Sequence, residues 1–236
     1  MALTGLLLAA GQGKRIRGYS DHPKALVPVN GRPLIEYNLD MMLAAGISRI
    51  VTVIGHRGEE VIRHLSGTRY GPHLEYVSQE EQLGTAHAVR IAEPALGSGP
   101  FVLCYCDNFT GYDLSKLTAR HLKERRVVTL ALYHAPDPTH HGIMEVVNGN
   151  VVSLEERPVH PKSDLAFAGM GCFESDVYEA VRKVKMSPKG EYYLTDAVMD
   201  LIRQGKAVGY AELDCFRVNI NTPEDVAAAE SFVRRN

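Results

Sequence analysis

Apolar and polar positions along the chain follow two periods, one of strands and one of helices. Leu3 to Ala10 is an unbroken run of small and apolar residues, as in a strand buried on both faces. A helical period follows: Pro33 opens a segment in which Ile35, Leu39 and Met42 recur at i, i+4 and i+7 before Gly46 closes it. RIVTVIG, residues 49–55, reads as a strand and Glu59 to Leu65 as a helix. Leu74 to Gln79 and Phe101 to Cys106 read as further strands, with a short helix beginning near Thr85 between them. This βαβ rhythm predicts an α/β chain, a parallel sheet covered by helices. After a helix at about Leu114 to Arg126, Val127 to His134 alternates as a strand, and IMEVVNGNVVSLEE carries an Asn-Gly pair suited to a hairpin. The second half therefore adds antiparallel strands, giving a mixed, mostly parallel sheet. Helices are expected at Ser175 to Val184 and Thr195 to Gln204, and Thr222-Pro223 starts a last one that ends near Arg234. No repeat, low-complexity run or linker breaks the pattern, so one domain over residues 1–236 is expected.

With 236 residues, 45% hydrophobic and 23% charged, the chain can bury a full core. No apolar run reaches the roughly 18 residues of a membrane span. MALTGLLLAAGQGKR has no basic segment ahead of its apolar stretch, unlike a signal peptide, so a cytoplasmic protein without a membrane partner is expected. The 4 cysteines form no CxxC and the 10 histidines no HExxH, which indicates neither a zinc site nor a disulfide framework. A formal net charge of -2 argues against a nucleic-acid partner while leaving room for one concentrated cationic pocket.

Such a pocket has a place in the sequence. The first strand empties into GQGKRIRGYSDHPK, which carries Lys14, Arg15, Arg17 and Lys24. Gly11 and Gly13 let backbone N–H groups approach an anion with no Cβ in the way, and Arg15 and Lys24 add charge at the same mouth. The stretch is neither a Walker A loop nor a dinucleotide fingerprint, whose third glycine is replaced by Ile16. A phosphate cradle and a tight turn with solvated cations both satisfy it. Asp107 ends the apolar strand FVLCYC, where open α/β sheets place ligands, and suits Mg2+ or an Asx turn equally. Thr85 can offer a hydroxyl to a ligand or cap a helix.

Taken in order, LLLAAGQGKRI, DHPKALVPVNGRPLIEYNL, QEEQLGTAHAV at 79–89, CDN at 106–108, SLEERPVHPKSD at 153–164, GEYYLTDAV at 190–198 and VNINTPED at 218–225 resemble the signature of the sugar-1-phosphate nucleotidylyltransferases. The similarity spans nearly the whole chain and is closest to glucose-1-phosphate thymidylyltransferase and to the uridylyltransferase domain acting on N-acetylglucosamine-1-phosphate. It implies a Rossmann-like, three-layer α/β/α nucleotidyltransferase fold with helices on both faces. It also implies a reaction in which a sugar-1-phosphate and UTP or dTTP give a nucleotide sugar and pyrophosphate, with Mg2+ as cofactor. A phosphate monoester has its second pKa near ~6 and is already an anion at neutral pH, so this chemistry needs no general base. That accords with the absence of a serine elbow or an obvious Cys-His pair.

By this resemblance Arg15 and Lys24 are catalytic, acting on the triphosphate and the leaving pyrophosphate. Ala10, Gly11, Gly13, Gln79, Gly84 and Thr85 bind the nucleotide, Gly142, Glu156, Arg157 and Gly169 the sugar phosphate, and Asp107 and Asn219 the metal. The sequence departs from the pattern in four places: Asn219 stands where many relatives have Asp, Arg157 where the thymidylyltransferases have Lys, His141 where Tyr is common, and Gly171 where a large side chain is usual. Regulation through a C-terminal extension is not expected. Two alternatives stay open: a cytidylyltransferase using CTP and a sugar or alcohol phosphate, and a non-catalytic nucleotide-binding regulatory protein. Homo-oligomer formation is also left open.

Overall fold

The computed structural model describes residues 3–13, 15, 16 and 18–235. In chain order the first half comprises β1 (Thr4–Leu8), the short ladder of β2 (Pro28–Val29) and β3 (Arg32–Pro33), α1 (Leu34–Ala44), β4 (Ile50–Ile54), α2 (Gly58–Ser66), β5 (Leu74–Ser78), α3 (Thr85–Leu96), β6 (Phe101–Tyr105), β7 (Asn108–Thr110) and α4 (Leu114–Glu124). The second half comprises β8 (Val128–His134), β9 (Gly142–Val147), β10 (Asn150–Glu156), β11 (Leu165–Phe173), α5 (Asp176–Lys183), α6 (Leu194–Arg203), β12 (Val208–Glu212), β13 (Arg217–Asn219) and α7 (Pro223–Val233).

Among the described residues nine strands make one sheet, built outward from β1. Parallel neighbours β4 and β6 flank β1, and β5 extends the sheet beyond β4. Antiparallel β11 joins β6 to β8, and β12 lies parallel to β8. The β9–β10 hairpin turns at Asn148-Gly149 and attaches to β11 through Ala166 and Ile143. Side chains along the central strands alternate between two cores: Leu6, Phe101 and Leu103 face one, Leu7, Val102 and Cys104 the other. The apolar stripes of α3, α5 and α6 cover the first face, and those of α1, α2 and α4 the second. The chain is thus the expected three-layer α/β/α arrangement with a mixed, mostly parallel sheet. A third cluster, including Val29, Phe109 and Val226, anchors α7, which starts in a capping box between Thr222 and Asp225 with Pro223 in its first turn.

One expectation needs correction, and one strand was not expected. The helix from Thr85 is not short: it runs 12 residues and carries Pro94 in its last turn, where the missing N–H leaves the Arg90 carbonyl without its usual helical donor. The stretch LAFAGMGCF is a central strand, β11, that periodicity does not mark. Its alanines and glycines carry little intrinsic strand preference, and its neighbours on both sides supply the ladder. Its pairing with β8 shifts register between Phe167 and Gly171.

Candidate active site

Ends of β1, β5 and β6 and the start of α3 frame a cleft of ≈ 240 Å³. Ala10, Gly11, Lys24, Gln79, Gly84, Thr85 and Asp107 line it, as do Gln82, Tyr105, Cys106 and Glu191. A second, adjoining cleft of ≈ 280 Å³ shares Gly11 and Lys24 and reaches Gly13, His56 and Arg57. The glycine loop is therefore the partition between two cavities at the carboxyl edge of the sheet, the usual ligand position for such folds.

Lys24 begins a 3-10 turn after Pro23, which brings its side chain inward to 11% exposure. Its Nζ donates to Asp107 Oδ2 at 2.8 Å and to Asn221 Oδ1 at 3.0 Å. Since an ammonium has three N–H groups, one has no acceptor among the described residues. Arg15 Nη2 donates to the same Asn221 oxygen at 3.2 Å, so one neutral side chain gathers both cations. Asp107 is fixed through its backbone, whose carbonyl accepts from Ile220 N–H at 2.8 Å. Burial pushes the neighbouring Cys104 and Cys106 thiols well up, so neither is a thiolate nucleophile near neutral pH.

On the opposite wall, Gln79 N–H donates to Ile54 O at 2.7 Å, and Gln79 Nε2 lies 3.1 Å from Gly84 O and 3.0 Å from His87 Nδ1. Gln82 Nε2 donates to Ala10 O at 2.5 Å, tying this wall to the glycine loop. Gly84 has φ +95, and a Cβ there would sit 2.6 Å from Tyr192 O, so the position requires glycine. Tyr192 closes the corner by donating to Leu83 O and accepting from Ala86 N–H, at 2.7 and 2.9 Å. Thr85 does cap a helix, though not its own: its Oγ1 accepts from Leu194 N–H at 2.9 Å, in the first turn of α6.

The residues assigned to the sugar phosphate lie outside the two clefts' linings. Glu156 pairs with Gly142 across β9–β10, and a Cβ at Gly142 would sit 2.8 Å from Glu156 Oε2. Arg157 has φ 50, an uncommon conformation for a non-glycine residue, and its N–H donates to His141 O at 2.9 Å. A Cβ at Gly169 would fall on Asn108 Nδ2, so Gly169 packs directly behind the residue that follows Asp107. Asn219 pairs with Asn108 across β7–β13. Both amide oxygens accept from Arg217 Nη2 at 2.8 Å, and the guanidinium lies 4.1 Å from the Tyr133 ring centroid. Burial lowers the Arg217 pKa. Arg217 Nε and Asn108 Nδ2 are buried with no hydrogen-bond partner among the described residues.

Thus Ala10, Gly11, Lys24, Gln79, Gly84, Thr85 and Asp107 converge, Gly13 lies next door, and Arg15 joins through Asn221. Lys14 and Arg17 lie outside the described residues. Sequence reasoning missed Asn221, Gln82, His87, Glu191 and Arg217. Asn221 had a signal, since it immediately precedes the Thr-Pro cap at the sheet's carboxyl edge.

A family model described as nucleotidyl transferase matches residues 4–234. UTP–glucose-1-phosphate uridylyltransferase AglF of Haloferax volcanii is 30% identical over 97% of this chain and 95% of its own. Glucose-1-phosphate thymidylyltransferase of Streptomyces antibioticus is 38% identical over 86% of this chain and 58% of its own. Three curated relatives that match are spanned over only 66%, 58% and 59% of their lengths. A crystal structure of UDP-glucose pyrophosphorylase with UDP-glucose superposes with TM-score 0.87 over 100% of both chains at 21% identity, a likeness of fold.

Proposed function

This chain belongs to the nucleotidyl transferase family, and from that premise we propose that it joins a sugar-1-phosphate to UTP or dTTP, giving a nucleotide sugar and pyrophosphate. The observation that carries the reading is Lys24, paired with Asp107 and linked through Asn221 to Arg15, on the partition between two adjoining clefts. One cleft, with Gln79 and Gly84, suits a base and its sugar; the other, beside the glycine loop, suits phosphates.

In the proposed reaction an acceptor phosphate oxygen attacks the α-phosphorus and forms the new P–O bond. The bond from the α-phosphorus to the α,β-bridging oxygen breaks, and its electron pair leaves on that oxygen with pyrophosphate. The nucleophile is already ionised, so positioning and charge carry the catalysis. Lys24 uses its free N–H on a phosphate oxygen at the reacting centre, and Arg15 opposes the charge growing on the leaving group. Glu156 and Arg157 orient the acceptor. Arg157 offers a planar fork where a lysine would offer a point charge.

The donors near Asp107 suit Mg2+, which takes oxygen ligands and needs few from the protein. Asp107 would supply a carboxylate and Asn219 an amide oxygen; Arg217 already engages that oxygen, which makes Asn219 the weaker partner. The bound ion would neutralise charge on the phosphate oxygens. Among the described residues no group of three or more His, Cys, Asp or Glu competes as a metal site.

The deciding experiment offers the protein Mg2+, each common triphosphate and a panel of sugar-1-phosphates and alcohol phosphates, and follows pyrophosphate release. UTP or dTTP with a sugar-1-phosphate is the expected productive pair. Turnover with CTP alone, or none with any pair while nucleotide still binds, would replace this reading by one of the two alternatives.

A further inference from the structure

An amide side chain has a donating and an accepting end, and its surroundings decide which end faces a ligand. For Gln79 that orientation is set by the network around it. Gly84 O can only accept, so Nε2 must face it, at 3.1 Å. The second N–H on Nε2 then meets His87 Nδ1 at 3.0 Å, which requires a bare lone pair there and puts the ring proton on Nε2. With both donors engaged, Gln79 Oε1 is the one polar atom of the side chain left over, and no described residue donates to it. Gln79 lines the cleft and is itself only 5% exposed, so it has little freedom to turn.

We propose that His87 is a positioning residue for base selection: by accepting from Gln79 it presents the glutamine as an acceptor to the nucleotide. This rests on the proposal above that the cleft holds the base against Gln79. The consequence is a preference for bases that offer an N–H at this edge. Uracil and thymine carry a proton on N3, whereas cytosine has a bare lone pair there, which would face another lone pair.

The arrangement also depends on the charge of the imidazole. A proton on Nδ1 would oppose the Nε2–H of Gln79 and force the amide either to turn or to lose a partner. Burial, followed by Arg90 on the same helix, works against that proton, and Glu81 in the preceding loop works for it. From the packed neighbours, Arg182 of α5 is engaged by Glu93 at 2.7 Å, and Tyr192 ahead of α6 lies under Arg90.

Calorimetric titration of UTP, CTP and N3-methyl-UTP into the Mg2+-loaded protein without acceptor tests this. His87→Leu should weaken UTP binding roughly three- to tenfold, the worth of one hydrogen bond, and narrow the UTP-to-CTP ratio. His87→Asn keeps an acceptor near the place of Nδ1 but cannot titrate. It should restore most of the UTP affinity and lose less of it than the parent as pH falls below 6.5, where the buried imidazole, its pKa lowered, begins to take up a proton. An unchanged UTP-to-CTP ratio in His87→Leu, or the same acid-induced loss in His87→Asn, overturns the role of His87. Gln79→Leu separates the two levels: if it binds UTP like the parent, the base is not read by Gln79 at all, whereas weakened binding there with silent His87 variants leaves the site standing and removes only its positioning residue.

Discussion

Asn221 is uncharged, yet Lys24 and Arg15 both depend on its oxygen for their place. Asn221→Ala should lower kcat/KM by about tenfold, since the cations keep their charge and lose their aim. Near-parental kcat/KM for Asn221→Ala would mean that the side chain merely fills space. Asp107→Ala removes a charge at the reacting centre and should cost at least ~100-fold in turnover with the fold intact. Pyrophosphate release at the parental rate from a soluble Asp107→Ala protein would remove Asp107 from the site. Asn219→Asp should keep activity and lower the Mg2+ concentration required, because a carboxylate is the stronger ligand. At this scale short motifs single out Arg15, Lys24 and Asp107, which the fold links in space. The sequence concealed what the holding residues do: Asn221 is marked by its place before the Thr-Pro cap, yet no type or spacing announces that it holds Arg15 and Lys24, or that Arg217 holds Asn108 and Asn219.

The junction of α3 and α6 rests on Thr85, whose hydroxyl satisfies the otherwise open Leu194 N–H. Thr85→Val should therefore cost about 1 kcal/mol of stability, as lost caps do, and Thr85→Ser should cost less; urea unfolding measures both. A purely ligand-directed hydroxyl would leave the midpoint unmoved. A second effect belongs to α4 and the strands it covers. His121 is fully buried, 2.9 Å from Thr129 Oγ1 and 3.3 Å from Glu174 Oε1, and burial holds its pKa below the ordinary 6.5. As pH falls through 6.5 the unfolded chain takes up this proton before the folded one does, so stability declines on acidification, until the folded histidine also titrates. Thermal midpoints measured against pH should show a flatter acid limb in His121→Gln than in the parent. Elements were legible where a period repeats, as in β1, β6, α1 and the Asn-Gly hairpin. They were not where neighbours dictate the strand, as in β11, or where three residues suffice, as in β7 and β13.

For the molecule as a whole, a ligand that bridges the walls of the cleft should stabilise the folded chain by mass action. UTP at about a hundred times its Kd should add ~2.7 kcal/mol, roughly 5–11 °C in Tm for a chain of this size. Equal concentrations of inorganic sulfate should shift it far less; the same shift from sulfate would point to a bare anion effect. The layered arrangement itself was readable, because alternating strand and helix signals leave few ways to cover a parallel sheet. What the alternation does not contain is the insertion of β11 between β6 and β8. During synthesis, β1, β4, β5 and β6 are all complete once Tyr105 has emerged, but β6 then has an open side. About 70 more residues must leave the ribosome before Phe173 closes it, roughly 3–14 s at ordinary elongation rates. Throughout that interval the nascent chain exposes a hydrophobic strand edge able to pair with any other, so the half-made protein is the form most in need of a chaperone.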